Sequence, residues 1–271
     1  FEGENGLLWI GTDIGVYKLS PRKFNAYEIV PGKTSGNNIT AGTYIADGKY
    51  IFSVWGDGIY ISDGTQGDIR TSTFSKLVIH DYEFEDITTI TSGSENEIWF
   101  TSVKDGIFRY NLKTKKIVNY ANQVMVRGVS NINYCRSASK GPNNSMWFGT
   151  VAGLLVYWQD QDRFYYYTED ANNPNSLSNE FINCLVFEND TTIWLGTLQG
   201  GLNRGIISKK EPGNIKFEHF TYDYKNSSSI SENNIGTLFL ASNGDLWIGT
   251  ANNGMNYFNR KTGDFSRFSK E

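Results

Sequence analysis

The sequence predicts an all-β chain, a β-propeller of about six four-stranded blades, and three observations predict it. A tryptophan-centred segment recurs at a nearly constant interval. Each copy leads into the same glycine–apolar–aromatic run. Aromatics make up 15% of the 271 residues and Gly and Asn number 28 each, a balance that suits short strands joined by tight turns.

The recurring segment is Leu8-Trp9-Ile10-Gly11-Thr12, Ile98-Trp99-Phe100-Thr101-Ser102, Met146-Trp147-Phe148-Gly149-Thr150, Ile193-Trp194-Leu195-Gly196-Thr197 and Leu246-Trp247-Ile248-Gly249-Thr250. Tyr50-Ile51-Phe52-Ser53-Val54 is a weaker copy, aligned without gaps when Gly58-Ile59-Tyr60 is set against Gly106-Ile107-Phe108. The intervals between positions 9, 51, 99, 147, 194 and 247 are 42, 48, 48, 47 and 53 residues, a mean of 47.6. After each segment come a short turn, a glycine and an apolar-aromatic run, as in Gly153-Leu154-Leu155-Val156-Tyr157. A pair spaced by three follows (Phe24/Tyr27, Ile117/Tyr120, Phe164/Tyr167, Phe217/Phe220, Phe265/Phe268), and an alternating run such as Phe181–Phe187 precedes the next tryptophan. Four strands in a unit of this length are the mark of a propeller blade. Helical periodicity over ten or more residues is missing, and a two-sheet sandwich would not set tryptophan at one position of the repeat five times.

The predicted domain is a single propeller segment, 1–271, with blades near 1–30, 37–80, 86–122, 130–170, 179–222 and 233–271. Only eight residues precede Trp9, so blade one is expected to lack its innermost strand and the whole to be a segment of a longer propeller. Twenty-five basic and 29 acidic residues, net charge −4 and a pI near 5.4 argue against a nucleic-acid groove, which needs a basic stripe. The aromatic content rules out a disordered chain. Two cysteines make no disulfide scaffold.

The pattern Leu-Trp-Ile-Gly-Thr, two or three residues, Gly, an apolar residue and then an aromatic resembles the two-component regulator propeller repeat. Leu246 to Phe268 carries it most fully and Ile193 to Leu202 nearly so, while blade two is the poorest copy. The linking phrase Asn175-Ser176-Leu177-Ser178-Asn179, echoed by Ser229-Ile230-Ser231-Glu232-Asn233-Asn234, is typical of the same family. The resemblance implies a periplasmic, non-catalytic sensor region of a hybrid two-component receptor of Bacteroidetes type. Oligosaccharides are the implied ligands, neighbouring receptor domains and a receptor homodimer the implied partners, and the implied propeller has seven blades. The expectation includes no cofactor and no metal. A propeller glycoside hydrolase or lyase, or a protein-docking scaffold, are the alternatives.

Strand order locates the candidate ligand face. Call the run before tryptophan strand one, the Trp segment strand two, the glycine–apolar run strand three and the last pair strand four. Successive strands alternate in direction, so the two-to-three turns and the four-to-one links emerge together. Loops on a rigid scaffold are where recognition usually sits. The turns offer Trp55, Asp57, Lys104, Asp105 and Asn252; the links offer Arg127, Asn131, Asn179 and Asn233. Amides and carboxylates suit sugar hydroxyls, and Trp55 offers an aromatic face. Against this, Asp-Gly and Asn-Gly form turns readily, and Asn ahead of a strand often bonds its own backbone. Trp55 and Arg127 are demanded by no turn.

The repeated tryptophans read as packing between blades, whereas Trp158, outside the pattern, reads as a surface aromatic on the opposite face. His80 and His219 are the only histidines and form no zinc motif; His219 is expected to be solvated on an outer strand. Allowing a longer turn at Lys140–Ser145, Cys135 and Cys184 fall at equivalent innermost positions and read as buried core thiols. Asp57 and Asp105 align on consecutive blades, yet each precedes a glycine in a turn, which accounts for them without catalysis.

Overall fold

The computed structural model describes residues 8–12, 15–19, 24–27, 29–30, 32, 38–45, 48–64, 69, 72–121, 123, 134–208 and 213–268. The chain divides into two compact units, Phe1–Asn122 and Gln123–Glu271. The fold is that of an all-β propeller, its sheets antiparallel meanders whose spatial order follows the chain. In the first unit, blade one shows three strands among the described residues, Leu8–Thr12, Gly15–Leu19 and Phe24–Tyr27. Blade two consists of Ile39–Ile45, Lys49–Val54, Gly58–Ser62 and Phe74–Lys76, and blade three of Ile87–Ser92, Glu97–Ser102, Gly106–Asn111 and Ile117–Asn119. The second unit holds blade four (Cys135–Lys140, Ser145–Thr150, Gly153–Trp158, Arg163–Tyr167) and blade five (Ile182–Asn189, Thr192–Thr197, Leu202–Ile207, Ile215–Phe220). Blade six follows as Ile235–Leu240, Leu246–Thr250, Met255–Asn259 and Asp264–Phe268.

Each innermost strand of the four-stranded blades carries a bulge at one position, between Ile39/Ala41, Ile87/Thr89, Cys135/Ser137, Ile182/Cys184 and Ile235/Thr237. A bulge leaves its extra residue out of the ladder and increases the local twist. Two of these extra residues reach the next blade. Thr40 Oγ1 donates to the Ile87 carbonyl at 2.7 Å, and Asn183 Nδ2 donates to the Ile235 carbonyl at 2.9 Å. The acceptor is in both cases the residue that opens the next innermost strand, so the hydrogen bond lost to the bulge is recovered as a link between blades.

The strand register also corrects the reading of the cysteines. The hairpins closed by Lys140↔Met146 and Phe187↔Ile193 have equal length, so no longer turn separates them. Cys135 therefore aligns with Ile182, ahead of the bulge, and Cys184 aligns with Ser137, beyond it. Cys135 is buried and Cys184 half-buried. Burial pushes the Cys184 thiol up to about 12, which leaves it a protonated core residue at neutral pH.

The Trp strands carry the packing. Trp99, Trp147 and Trp194 are at most 1% exposed. Trp147 lies edge-on to Phe187 of blade five at 5.1 Å, and Trp194 meets Phe258 of blade six at the same distance. Two residues on, the glycine of Trp-x-Gly-Thr makes room for the following blade. A Cβ on Gly149 would lie 2.7 Å from Ile182 Cγ2, and one on Gly196 would lie 2.5 Å from Ile235 Cγ2. Trp158 differs from expectation: it is 3% exposed and packs edge-on to Trp147 at 6.4 Å. The face of strand three it sits on is the one that meets blade five, so register, which single-residue pattern breaking does not reveal, decides its burial.

Candidate functional site

Turns and links do share one face. The residue after each Trp strand donates its N–H to the carbonyl just ahead of its own innermost strand: Trp55 to Asn38, Val103 to Asp86, Val151 to Tyr134, Leu198 to Phe181 and Ala251 to Asn234, at 2.8–3.3 Å. Some turns also reach the next link, Gly56 N–H to Glu85 O at 2.6 Å and Gly201 N–H to Asn233 O at 3.0 Å. The final Thr or Ser of the Trp strand closes the turn. Thr197 Oγ1 donates to Gly201 O and accepts from Gly200 N–H, and Thr250 does the same with Gly254 and Asn253. The glycine opening strand three has positive φ in blades two to six, +75° to +138°, where other L-residues are strained.

Most candidates on this face are held by structural bonds. Asp105 accepts from Ser102 Oγ at 3.2 Å. The exposed Lys104 side chain stands over a turn whose N–H donates to the Asp86 carboxylate at 2.6 Å. Asn179 Oδ1 caps Phe181 N–H at 3.0 Å, and Asn233 Oδ1 takes Tyr222 N–H at 2.7 Å. Asn252 donates its N–H and its Nδ2 to the two oxygens of Glu232 at 2.8 and 2.9 Å. Arg127 and Asn131 lie outside the described residues.

Trp55 and Asp57 stand apart from that pattern. Trp55 is 42% exposed, as its position predicts. Asp57 lines a cavity of about 310 Å³ enclosed by the turn at Gly56–Gly58, the end of strand four and the link at Tyr82–Glu85. Its carboxylate pairs with Lys76 Nζ at 3.1 Å and accepts from the Tyr60 hydroxyl; burial first, then Asp57, pushes the Tyr60 phenol up. Glu83 and Glu85 bring two exposed carboxylates to the rim, and Tyr82 supplies an aromatic wall, stacked on Phe84 at 5.2 Å. The mouth thus presents carboxylates, an ammonium and a ring face together, the groups that hold hydroxylated ligands. In the second unit a more open recess of about 430 Å³ lies between Leu198–Gln199 and Glu232–Asn234.

Three residues that organise this face escaped sequence reasoning. Asn203 and Asn256 are fully buried. Each grips the linking phrase at both ends of a serine: Asn203 Oδ1 accepts from Ser178 N–H and its Nδ2 donates to Ser178 Oγ, and Asn256 repeats this with Ser231. Glu232 is the third. Partial desolvation opposes its charge, but bonds from Asn252, Asn253 and Thr250 prevail and hold the carboxyl below its usual range. The repetition of Asn after Gly-Leu and Gly-Met, in step with the Ser-Leu-Ser and Ser-Ile-Ser phrases, was the available signal. His219 is exposed as expected, but Nε2 lies 2.7 Å from the Ser176 carbonyl, where Arg267 of blade six bonds Ser229 O. Among the described residues no group of three or more His, Cys, Asp or Glu could hold a metal ion.

Comparison with known proteins agrees with this architecture. The two-component regulator propeller family matches residues 229–252, from the Ser-Ile-Ser phrase through the last Trp strand. Histidine kinase P4 of Formosa agariphila is 26% identical over 169 residues, covering 60% of this chain and 12% of that protein. The extracellular domain of a Bacteroides thetaiotaomicron protein assigned to a one-component system superposes with a TM-score of 0.72 at 20% identity, over 100% of this chain and 33% of that one. Virginiamycin B lyase of Staphylococcus aureus superposes at 0.69 with 16% identity, over 100% and 83%. The chain thus spans about an eighth of the kinase and a third of the extracellular domain. Built on bulged inner strands, Trp-x-Gly-Thr seats and Asn-gripped links, it has the fold of a β-propeller, and its residues 229–252 match the two-component regulator propeller repeat.

Proposed function

We propose that this propeller is an extracytoplasmic, ligand-sensing part of a two-component receptor, that its ligand is an oligosaccharide, and that it carries no catalytic role of its own. The match of the two-component regulator repeat at residues 229–252 carries this reading, and the histidine kinase relative supports it. In the periplasm the propeller would act on neighbouring receptor domains, within a receptor homodimer. The ligand would contact the turn-and-link face, at the cavity beside Asp57 and Lys76, with Trp55 one residue away. Bound ligand changes output only by favouring one signalling state over the other, so the two states must differ in affinity.

The test is thermal shift and calorimetric titration of the full-length receptor against a panel of oligosaccharides. A positive shift from a subset of the panel is expected, and Trp55→Ala or Glu83→Gln should weaken binding about tenfold, or about 1.4 kcal/mol. No shift from any sugar overturns the ligand class. Binding unchanged in both variants overturns the site. New reducing ends in the incubated panel would replace sensing with glycan cleavage.

A further inference from the structure

The recess in the second unit occupies the same place in the repeat as the cavity beside Asp57. The cavity lies between the turn of blade two and the link into blade three; the recess, of about 430 Å³, lies between the turn of blade five and the link into blade six. Counting from the glycine that opens strand three, Gly200 stands where blade two has Asp57. Across strands three and four, Asn203 faces His219 as Tyr60 faces Lys76. Counting back from Ile235 and Ile87, Glu232, Asn233 and Asn234 stand where the other link has Phe84, Glu85 and Asp86. Both members of the Asp57–Lys76 ion pair are thus replaced, one by a glycine and one by a histidine that lies 2.7 Å from the Ser176 carbonyl.

These replacements leave a lining that hydrogen-bonds without a free charge. A Cβ on Gly200 would lie 2.4 Å from Ser178 Oγ and 2.7 Å from Asn179 Cβ, so the turn rests on the link of its own blade. Glu232 is the one carboxylate of the lining, and it already accepts from Asn252 N–H, Asn252 Nδ2 and Asn253 N–H. Gln199 and Asn234 differ: neither side-chain amide has a hydrogen-bond partner among the described residues. Asn233 spends Oδ1 on Tyr222 N–H and keeps its Nδ2, and Leu198 adds an apolar side chain. The repeat does not require this composition. Between blades four and five the turn is one residue shorter, Ala152 is buried with its carbonyl taken by the Tyr166 hydroxyl, and Phe181 stands where Asn234 stands. A side-chain amide donates and accepts, as a sugar hydroxyl does. An anion in the recess would face ionised Glu232 with no cation in the lining to offset it, and an ammonium would find that carboxylate already bonded.

We infer that this recess is a second saccharide subsite, and that it takes an uncharged sugar unit through the amides of Gln199 and Asn234, with Leu198 against the C–H groups of the ring. The inference rests on the reading that the propeller's ligands are oligosaccharides, but on residues distinct from those beside Asp57.

Hydroxyl-radical footprinting of the full-length protein tests it, because Leu198 reports on the recess and Trp55 on the Asp57 cavity in one digest. The probes are maltotriose, cellotriose and xylotriose, with trigalacturonate as the anionic counterpart and the glucosamine trimer as the cationic one. A neutral trisaccharide is expected to protect Leu198, and neither charged probe to do so at the same concentration. The double variant Gln199→Ala, Asn234→Ala breaks no bond among the described residues and should need about tenfold more sugar for the same protection. Protection of Leu198 alone upholds the inference and counts against the Asp57 cavity. Protection of Trp55 without Leu198 overturns the inference and leaves the Asp57 cavity standing. No protection of either residue by any probe overturns both. Protection of Leu198 that the charged probes give equally, or that the double variant leaves unchanged, overturns recognition of a neutral sugar by these amides.

Discussion

Blades three and six solve one problem with opposite chemistry. Each must hold an incoming link against strand three and fix the turn beside it. In blade three the second residue after the strand-three glycine is Phe108, fully buried and stacked on Phe100 at 5.2 Å. The link answers with Tyr82 and Phe84, whose rings lie edge-on to Phe108 at 5.3 and 4.9 Å. At the same position blade six has Asn256, and the link answers with Ser231 and the buried Ile230. Aromatic meets aromatic in one blade, amide meets hydroxyl in the other. The turn is fixed alike in both: a link carboxylate, Asp86 or Glu232, accepts the N–H of Lys104 or Asn252. What the scaffold requires is a matched pair, and the pair can be exchanged only as a whole.

The most damaging way to break the comparison is to mix the two codes. Phe108→Asn removes a buried ring, a loss of about 3–5 kcal/mol by large-to-small precedent. It also buries an amide opposite Tyr82 and Phe84, neither of which offers the serine that Asn256 uses, for about 1–3 kcal/mol more. Urea unfolding should show the first unit destabilised beyond either figure alone; a change under 2 kcal/mol would mean that the aromatic cluster does not hold the link. Smaller is Asn256→Ala, which leaves Ser231 N–H and Oγ without their partner and should cost about 1–3 kcal/mol. Ser231→Ala in that background should cost less than it does alone, since both changes remove the Asn256–Ser231 Oγ bond and only the exposed bond from Ser231 Oγ to the Asn253 carbonyl is left to lose. Additive losses in that double-mutant cycle would show the pair to be uncoupled.

This contrast also explains how much was legible. The Trp strands, the glycine at the head of strand three and the face shared by turns and links follow from spacing and strand alternation, and the structure carries each of them. Blade two was readable only by alignment with blade three, because Ile51 fills the tryptophan position there, fully buried. Less legible were features set by register. The hairpins of blades four and five are equal in length, which sets Cys184 level with Ser137 and not with Cys135. Trp158 looked exceptional in sequence but falls on a buried row. At the candidate site, Trp55 and Asp57 were chosen from turn position, and Asp57 does line a cavity. The asparagines were less informative, since Asn179, Asn233 and Asn252 spend their side chains on backbone or on Glu232. Asn203 and Asn256 went unnoticed because a polar residue inside an apolar run has no visible partner until the link is folded against it.

The mildest probe of the comparison is pH, because the hydrogen bonds that let Glu232 fix its turn also hold its carboxyl below the usual range. Its carboxyl lies below the ordinary glutamate value of 4.5 in the folded chain, so the folded state binds the proton less readily than the unfolded one. The resulting stabilisation is fully present above about pH 4.5 and is lost as pH falls through the folded value. Glu232→Gln keeps an acceptor for Asn252 N–H but has no charge to titrate. Thermal unfolding of the two proteins between pH 7 and pH 3 should therefore show a gap in Tm that is constant near neutrality and closes below pH 4.5. The effect is small because Glu232 is only half-buried and water screens its charge. A gap that stays constant down to pH 3 would mean that Glu232 holds its turn by geometry alone, and the polar code of blade six would then rest on Asn256 and Ser231.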